Sequence, residues 1–199
     1  MSVSTDKATL RQSMKQARAA LSDAARAAAA QGLLDHVVAL REMISGKLIN
    51  DSAGVVAGYA PLGDEVDPHP LMTALRDHGA QTALPVMTGK EQPLIFRAWD
   101  GRAPLLVGDF GVGEPAATAA TVTPSVILTP LLAADRFGGR LGYGGGFYDR
   151  TIADLKQAGR HVTVIGLAYR DQLVDKVPAD ELDQRLDAVL TPDGLIEIG

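Results

Sequence analysis

Residues 126–158 read VILTPLLAADRFGGRLGYGGGFYDRTIADLKQA, and three physical regimes follow one another along them. VILTP is a short apolar run, the pattern of a strand buried on both faces. A helix is predicted from about Phe147 to Ala158, with Gly159 as its stop signal. Between the two, six of the nine residues from Gly138 to Gly146 are glycine, where 21 glycines in 199 residues would supply about one. A turn needs far fewer. Strand, glycine-rich turn and helix in that order mark the place where an α/β sheet exposes backbone N–H groups and a helix N-terminus to an anion.

Outward from this segment the same alternation continues. Strands are predicted at Val55 to Tyr59, Thr82 to Pro85, Leu94 to Ala98, Val162 to Ala168 and Ala188 to Thr191, beside Val126 to Thr129. A helix starting at Asp67-Pro68 separates the first two, with aspartate in the cap position and proline in the first turn. At the N-terminal side, Thr5 or Asp6 caps a helix to about Leu21, and Ser22-Asp23 opens an alanine-rich second helix to about Met43. Strands alternating with helices imply an α/β fold with a largely parallel sheet covered by helices on both faces. The low-complexity stretch Ala116 to Thr123 reads as a surface loop, and residues 1–199 as one domain.

Composition narrows the function. The chain has 46% apolar and 22% charged residues, no cysteine and a net charge of −5. Disulfides, thiolate metal sites and cysteine nucleophiles are excluded. An acidic chain with no basic run argues against nucleic-acid binding. No stretch has the length of a membrane span and the N-terminus lacks a secretory pattern, so a cytoplasmic protein is expected. The histidines at 36, 69, 78 and 161 have no metal-ligand spacing.

The glycine-rich loop fits neither common nucleotide fingerprint. Gly46-Lys47 and Gly89-Lys90 lack the Ser or Thr of a Walker A loop, and Phe147 stands where the dinucleotide pattern needs a third glycine. Phosphate binding and a structural glycine hinge both remain open on spacing alone. Arg140 offers a bidentate charge to a phosphate. Asp149, one turn into the following helix, would repel a bare phosphate but suits a magnesium ion carried by a nucleotide. Lys7, Arg11, Lys15 and Arg18 form a basic stripe on the first helix, either a solvated face or a site. Glu65 follows the first strand, where ligands bind in such sheets, or is a solvated turn acid. Asp183 and Asp187 form a late acidic pair.

The string RLGYGGGFYDR, with KATLR upstream, the GDEVD turn, the GVGEP loop and the C-terminal DQRLDAVLT, resembles in order and spacing the 5-formyltetrahydrofolate cyclo-ligases, from about Lys7 to Thr191. The resemblance implies a fold of the sugar-phosphate isomerase and coenzyme A transferase type. It also implies ATP-dependent closure of 5-formyltetrahydrofolate to 5,10-methenyltetrahydrofolate with release of ADP and phosphate, in the presence of Mg2+. Carried over by position, Lys7, Ala8, Thr9, Leu10 and Arg11 meet ATP, as do Arg140, Leu141, Gly142, Tyr143, Gly144, Gly145, Gly146, Phe147 and Tyr148. Lys7 and Arg140 are the catalytic cations, Ala60, Glu65 and Phe147 receive the folate, and Asp149 and Asp187 hold the metal. The protein is expected to be a monomer. Many members of that family carry lysine in place of Gly145 and histidine in place of Leu182. The alternatives are an ATP-independent isomerase-like enzyme that uses the loop for a substrate phosphate, and a non-catalytic binding module of the same fold.

Overall fold

All four side chains of Val126–Thr129 are buried, as an apolar run in a central strand requires, and the remaining elements are arranged around it. The computed structural model describes residues 3–48, 54–108 and 110–199. The α-helices among the described residues are α1 (Val3–Ala19), α2 (Asp23–Gly32), α3 (Val37–Leu48), α4 (His69–Asp77) and α5 (Phe147–Gln157). The strands are β1 (Val55–Ala57), β2 (Gln81–Val86), β3 (Ile95–Ala98), β4 (Leu106–Val107), β5 (Gly113–Glu114) and β6 (Thr121–Val122), followed by β7 (Val126–Thr129), β8 (Ala133–Ala134), β9 (Arg140–Leu141), β10 (Thr163–Leu167), β11 (Ala188–Thr191) and β12 (Gly194–Glu197).

Eight strands form one sheet in the order β12-β11-β10-β7-β1-β2-β3-β6. The five from β11 to β2 are mutually parallel, as the alternation of strands and helices predicts. Strands β12, β3 and β6 extend the two edges, each paired antiparallel with its inner neighbour. Successive residues of a strand point to opposite faces, and the core divides accordingly. Val56, Leu84, Val126, Leu128, Ile165 and Leu190 pack with Leu33, Leu40, Ile44, Leu71 and Leu75, under α2 to α4. Val55, Ala57, Ile127, Val164 and Val189 pack with Ile152 and Phe147 of α5 on the other face. Leu128 is fully buried, so truncating it to Ala would cost about 2–5 kcal/mol. The helix α1 lies outside both layers, its Leu10 and Met14 packed on Ala133, Leu141 and Val177 beside the β8–β9 hairpin.

Four sequence expectations change. Pro68, not Asp67, is the N-cap of α4; Asp67 stands one residue before it and its carboxylate accepts the His69 N–H at 2.9 Å. The second helix is not continuous: a 3-10 turn at Leu33–His36 separates α2 from α3. At this break Gly32 lies against Pro192, so closely that a Cβ would stand 3.0 Å from the proline Cβ, and Leu33 drops into the core with no exposure. Ser22 is nevertheless the N-cap, accepting the Ala25 N–H. The stretch from Ala116 is a loop only in part, since Thr121–Val122 pairs with Arg97 and Phe96 as an edge strand. The helix α1 begins at Val3, so Asp6 lies within it, and the Thr5 side chain is outside the described residues.

Candidate active site

Strand β1 has β2 on one side and β7 on the other. After β1 the chain crosses to α4 on one face, and after β7 to α5 on the opposite face. The two carboxyl ends therefore diverge and open a crevice, where open α/β sheets bind their ligands. A cavity of about 1010 Å³ occupies it. Single-ligand pockets run from roughly 300 to 1,000 Å³, so this cavity is at the large end of that range.

One end of the cavity is the glycine-rich loop. Gly144 and Gly146 sit at φ +103° and +67°, conformations that side chains rarely adopt. Gly146 is the N-cap residue of α5 and offers no side chain to the first-turn N–H groups, which leaves them for an anion. Arg140 is buried beside them. Its Nη2 donates to Asp149 Oδ1 at 2.6 Å, its guanidinium carbon lies 5.6 Å from the centre of the Tyr148 ring, and its Nη1 is buried without a hydrogen-bond partner among the described residues. A buried donor without an acceptor is costly, and an anionic oxygen in the cavity would remove that cost. Asp149 Oδ1 also accepts the Gln184 N–H at 3.0 Å.

The helix α1 forms a second wall. Lys7 and Arg11, one turn apart, line the cavity; Ala8, Thr9 and Leu10 do not. Ala8 and Thr9 are exposed and Leu10 packs into the small α1 cluster, so helical periodicity reduces the predicted contact stretch to two side chains. Lys7 Nζ donates to Asp180 Oδ2 at 2.7 Å and Asp183 Oδ2 at 2.5 Å. Burial opposes its charge, but the hydrogen bonds and charges of the two aspartates outweigh burial and raise its pKa. Arg11 Nε donates to the Gly142 carbonyl at 2.9 Å, bracing the loop from α1.

The third wall holds Ala60, Glu65 and Phe147, joined by Tyr59, Met87, Leu94 and Phe110. Glu65 is buried, its Oε2 accepting the Leu62 N–H at 2.8 Å. Burial pushes its pKa up, against the pull of that N–H, of Arg18 and of Tyr143. The Phe147 ring meets Phe110 edge-on at 5.7 Å and carries the Arg150 guanidinium at 5.2 Å. Burial also raises the Tyr143 phenol to about 12 and moves that of Tyr148 upward.

Leu141, Gly142, Gly145 and Leu182 also line the cavity, with Leu182 largely exposed at its rim. Asp187, like Ala8, Thr9 and Leu10, is absent from the lining. It precedes β11 at the amino end of the parallel strands, and its Oδ2 accepts the Val164 N–H at 2.7 Å. Its carboxylate therefore completes the sheet pairing and lies away from Asp149, so the structure does not bring the two expected metal ligands together. Among the described residues no three His, Asp or Glu side chains form a metal-ligating cluster. A magnesium ion that travels with phosphates needs only one or two protein carboxylates, however. Asp149 lines the cavity; its Oδ1 is held by Arg140 and the Gln184 N–H, and its carboxylate is the hard oxygen donor that fits that role.

No local pattern marks Asp180 as the partner of Lys7, and Arg18 stands in the sequence only as a member of the basic stripe. The stripe was itself the signal for Arg18, which is seven residues from Arg11 and therefore on the same helix face.

The sequence pattern of the 5-formyltetrahydrofolate cyclo-ligase family matches residues 3–192. The chain is 37% identical over 194 residues to a 5-formyltetrahydrofolate cyclo-ligase of Mycolicibacterium smegmatis, covering 94% of this chain and 93% of that protein. It is 36% identical over 145 residues to the Escherichia coli 5-formyltetrahydrofolate cyclo-ligase, covering 70% and 79%. The solved structure of an Aquifex aeolicus 5,10-methenyltetrahydrofolate synthetase superposes with a TM-score of 0.75 at 27% identity, covering 96% of this chain and 92% of that one.

Proposed function

Since the chain belongs to the 5-formyltetrahydrofolate cyclo-ligase family, we propose that its cavity seats 5-formyltetrahydrofolate and ATP together and closes the folate to 5,10-methenyltetrahydrofolate, releasing ADP and phosphate. The observation that carries the nucleotide half is Arg140 Nη1, a buried cationic donor without a partner among the described residues, at the open N-terminus of α5.

A formamide oxygen is a poor leaving group. In the proposed reaction it attacks the γ-phosphorus of ATP, and the bond to the bridging oxygen breaks with its electron pair going to ADP. The N10 lone pair then adds to the formyl carbon. The former formyl oxygen departs as phosphate with the C–O electron pair, and N10 loses its proton. Phosphoryl transfer asks for positioning and charge neutralisation rather than a covalent nucleophile. Arg140 supplies a donor fixed in place by Asp149, and such preorganised donors act where charge develops. The first-turn N–H groups of α5 and the backbone of Gly142–Gly146 cradle the phosphates. Lys7 reaches them by exchanging Asp180 and Asp183 for phosphate oxygens. Asp149 would hold Mg2+, which when bound neutralises charge on the transferred phosphoryl group. At the other wall Glu65 accepts hydrogen bonds from the amino and ring N–H groups of the pterin, Ala60 lies beside it, and Phe147 offers its ring for stacking.

The test is purified protein mixed with 5-formyltetrahydrofolate, with and without Mg-ATP, followed by absorbance of the methenyl product. The chromophore is expected only when both are present. Equal product without nucleotide would favour an ATP-independent enzyme, and no product under any condition a binding module.

A further inference from the structure

Arg18 has no part in the chemistry above, yet its side chain is only 4% exposed and spends its donors on three separate segments around the cavity. Its Nε and Nη2 both reach Asp64 Oδ1, at 2.7 and 2.6 Å. Nη1 donates to the Leu131 carbonyl at 3.4 Å. Nη2 also donates to the hydroxyl oxygen of Tyr143. Asp64 precedes Glu65 in the turn after β1, Leu131 follows β7, and Tyr143 belongs to the glycine-rich loop, so one guanidinium ties together three walls of the crevice.

The geometry at Tyr143 gives this tie a direction. Because the Tyr143 oxygen accepts from Arg18, its O–H is left to donate elsewhere, and Glu65 is near enough for the two groups to shift each other's pKa. Glu65 receives the Leu62 N–H on Oε2, and the nearby Tyr143 hydroxyl pulls its pKa down against burial. The turn that carries Glu65 is pinned from other sides as well, by the Tyr59 hydroxyl donating to Val66 O at 2.7 Å and the Tyr169 hydroxyl donating to Asp64 O at 3.2 Å. Neither of those tyrosines bonds the carboxylate itself. We propose that Arg18 is a positioning residue for the folate: by tying Asp64, the neighbour of Glu65, to Tyr143 and to the Leu131 carbonyl, it fixes the turn that presents the acid receiving the pterin. This rests on the assignment of Glu65 to the folate wall.

The arrangement has a consequence that a mere scaffold lacks. The titratable groups around Glu65 are Arg18 from α1, Asp64 and Asp67 from its own turn, Tyr59 after β1, Tyr143 from the loop, Tyr148 from α5 and Tyr169 after β10. Arg18 is the cation among them that favours the ionised acid, and Tyr143 favours the same form. Loss of either leaves burial less opposed and protonates Glu65 at higher pH. A protonated Glu65 cannot accept two N–H groups from a pterin edge as a carboxylate does. Folate affinity should therefore fall selectively on the acid side.

The experiment is calorimetric titration of 5-formyltetrahydrofolate alone into wild type, Arg18→Gln, Arg18→Lys and Tyr143→Phe at pH 5.5 and pH 8, with thermal melts of each. Arg18→Gln is expected to bind roughly tenfold more weakly than wild type at pH 5.5 and about equally at pH 8, the size expected when an opposite charge beside a carboxylate is removed. Tyr143→Phe should move in the same direction, and Arg18→Lys should recover part of the loss. Equal weakening at both pH values would reduce Arg18 to a scaffold and overturn the inference, as would unchanged affinity in both Arg18→Gln and Tyr143→Phe. If Arg18→Gln does not fold, Tyr143→Phe, which removes one hydroxyl, decides alone. Absence of folate binding by the wild type would overturn the assignment of the cavity itself, a different outcome from wild-type binding with no pH-selective loss.

Discussion

Replacing Arg140 with alanine separates two roles that one side chain fills. The first is catalytic: removing one preorganised donor aimed at developing charge lowers kcat by about 10²- to 10³-fold. The second is structural, because Arg140 and Asp149 form an ion pair with side-chain exposures of 4% and 26%. Breaking a fully buried pair costs about 3–5 kcal/mol. Here Asp149 keeps the Gln184 N–H on the same oxygen and is partly solvated, so about 1–3 kcal/mol is expected once the buried-pair figure is discounted for exposure. For a chain of this length that lowers Tm by roughly 2–12 °C. The assay is turnover at saturating 5-formyltetrahydrofolate and Mg-ATP, read from the methenyl chromophore well below the variant's Tm, beside a thermal melt. Arg140→Lys supplies the contrast. An ammonium keeps the charge and can pair with Asp149, but it lacks the planar fork that binds Asp149 and leaves a second nitrogen for the ligand. Most of the Tm should return, and only part of the rate. Near-wild-type turnover in a folded Arg140→Ala protein would refute the reasoning and leave the phosphates to Lys7 and the backbone.

Further tests bear on the other walls of the cavity. Replacing Asp180 and Asp183 together by asparagine removes the two acids that compete with phosphate for Lys7, so KM for ATP should fall severalfold; a rise would show that the pair shapes the site instead. Glu65 has a folded-state pKa above the ordinary 4.5 because burial disfavours its charge. Its contribution to stability is therefore full below pH 4.5 and lost as pH rises through the folded value. Glu65→Gln should raise Tm at pH 7.5, with the gain fading toward pH 4, while raising the folate KM and sparing that of ATP. A Cβ at Gly145 would lie 2.9 Å from two carbons of the Phe147 ring, so Gly145→Ala should displace the ring and weaken folate binding more than ATP binding; the same contact makes lysine at this position disruptive. Turnover should stop in chelator and return with Mg2+, and Asp149→Asn should raise the Mg2+ concentration needed for half-maximal rate, an outcome that full activity in chelator would contradict.

Where the chain makes strands and helices was written in local pattern. The runs at Val55, Thr82, Val126, Val162 and Ala188 are apolar because both faces of a parallel strand are covered, and Ser22, Asp67 and Gly159 mark helix ends through short-range hydrogen bonds and a left-handed glycine. The loop that binds phosphate in the proposed reaction was visible for the same reason, since a backbone that must approach an anion closely excludes side chains. What the sequence could not settle depends on contacts between residues far apart in the chain. The edge strands Thr121–Val122 and Gly194–Glu197 are too short to show a period and exist through pairing with β3 and β11. Lys7 meets Asp180 and Asp183 across 173 and 176 residues, and Arg18 meets Tyr143 across 125. Asp149 and Asp187 have equal chemical claims to a metal as letters in a sequence. The packing of α5 and β11 on the sheet brings Asp149 to the carboxyl end of the strands, inside the cavity, and leaves Asp187 at the amino end holding the Val164 N–H, because a side chain's role is decided by the end of the strand from which it projects.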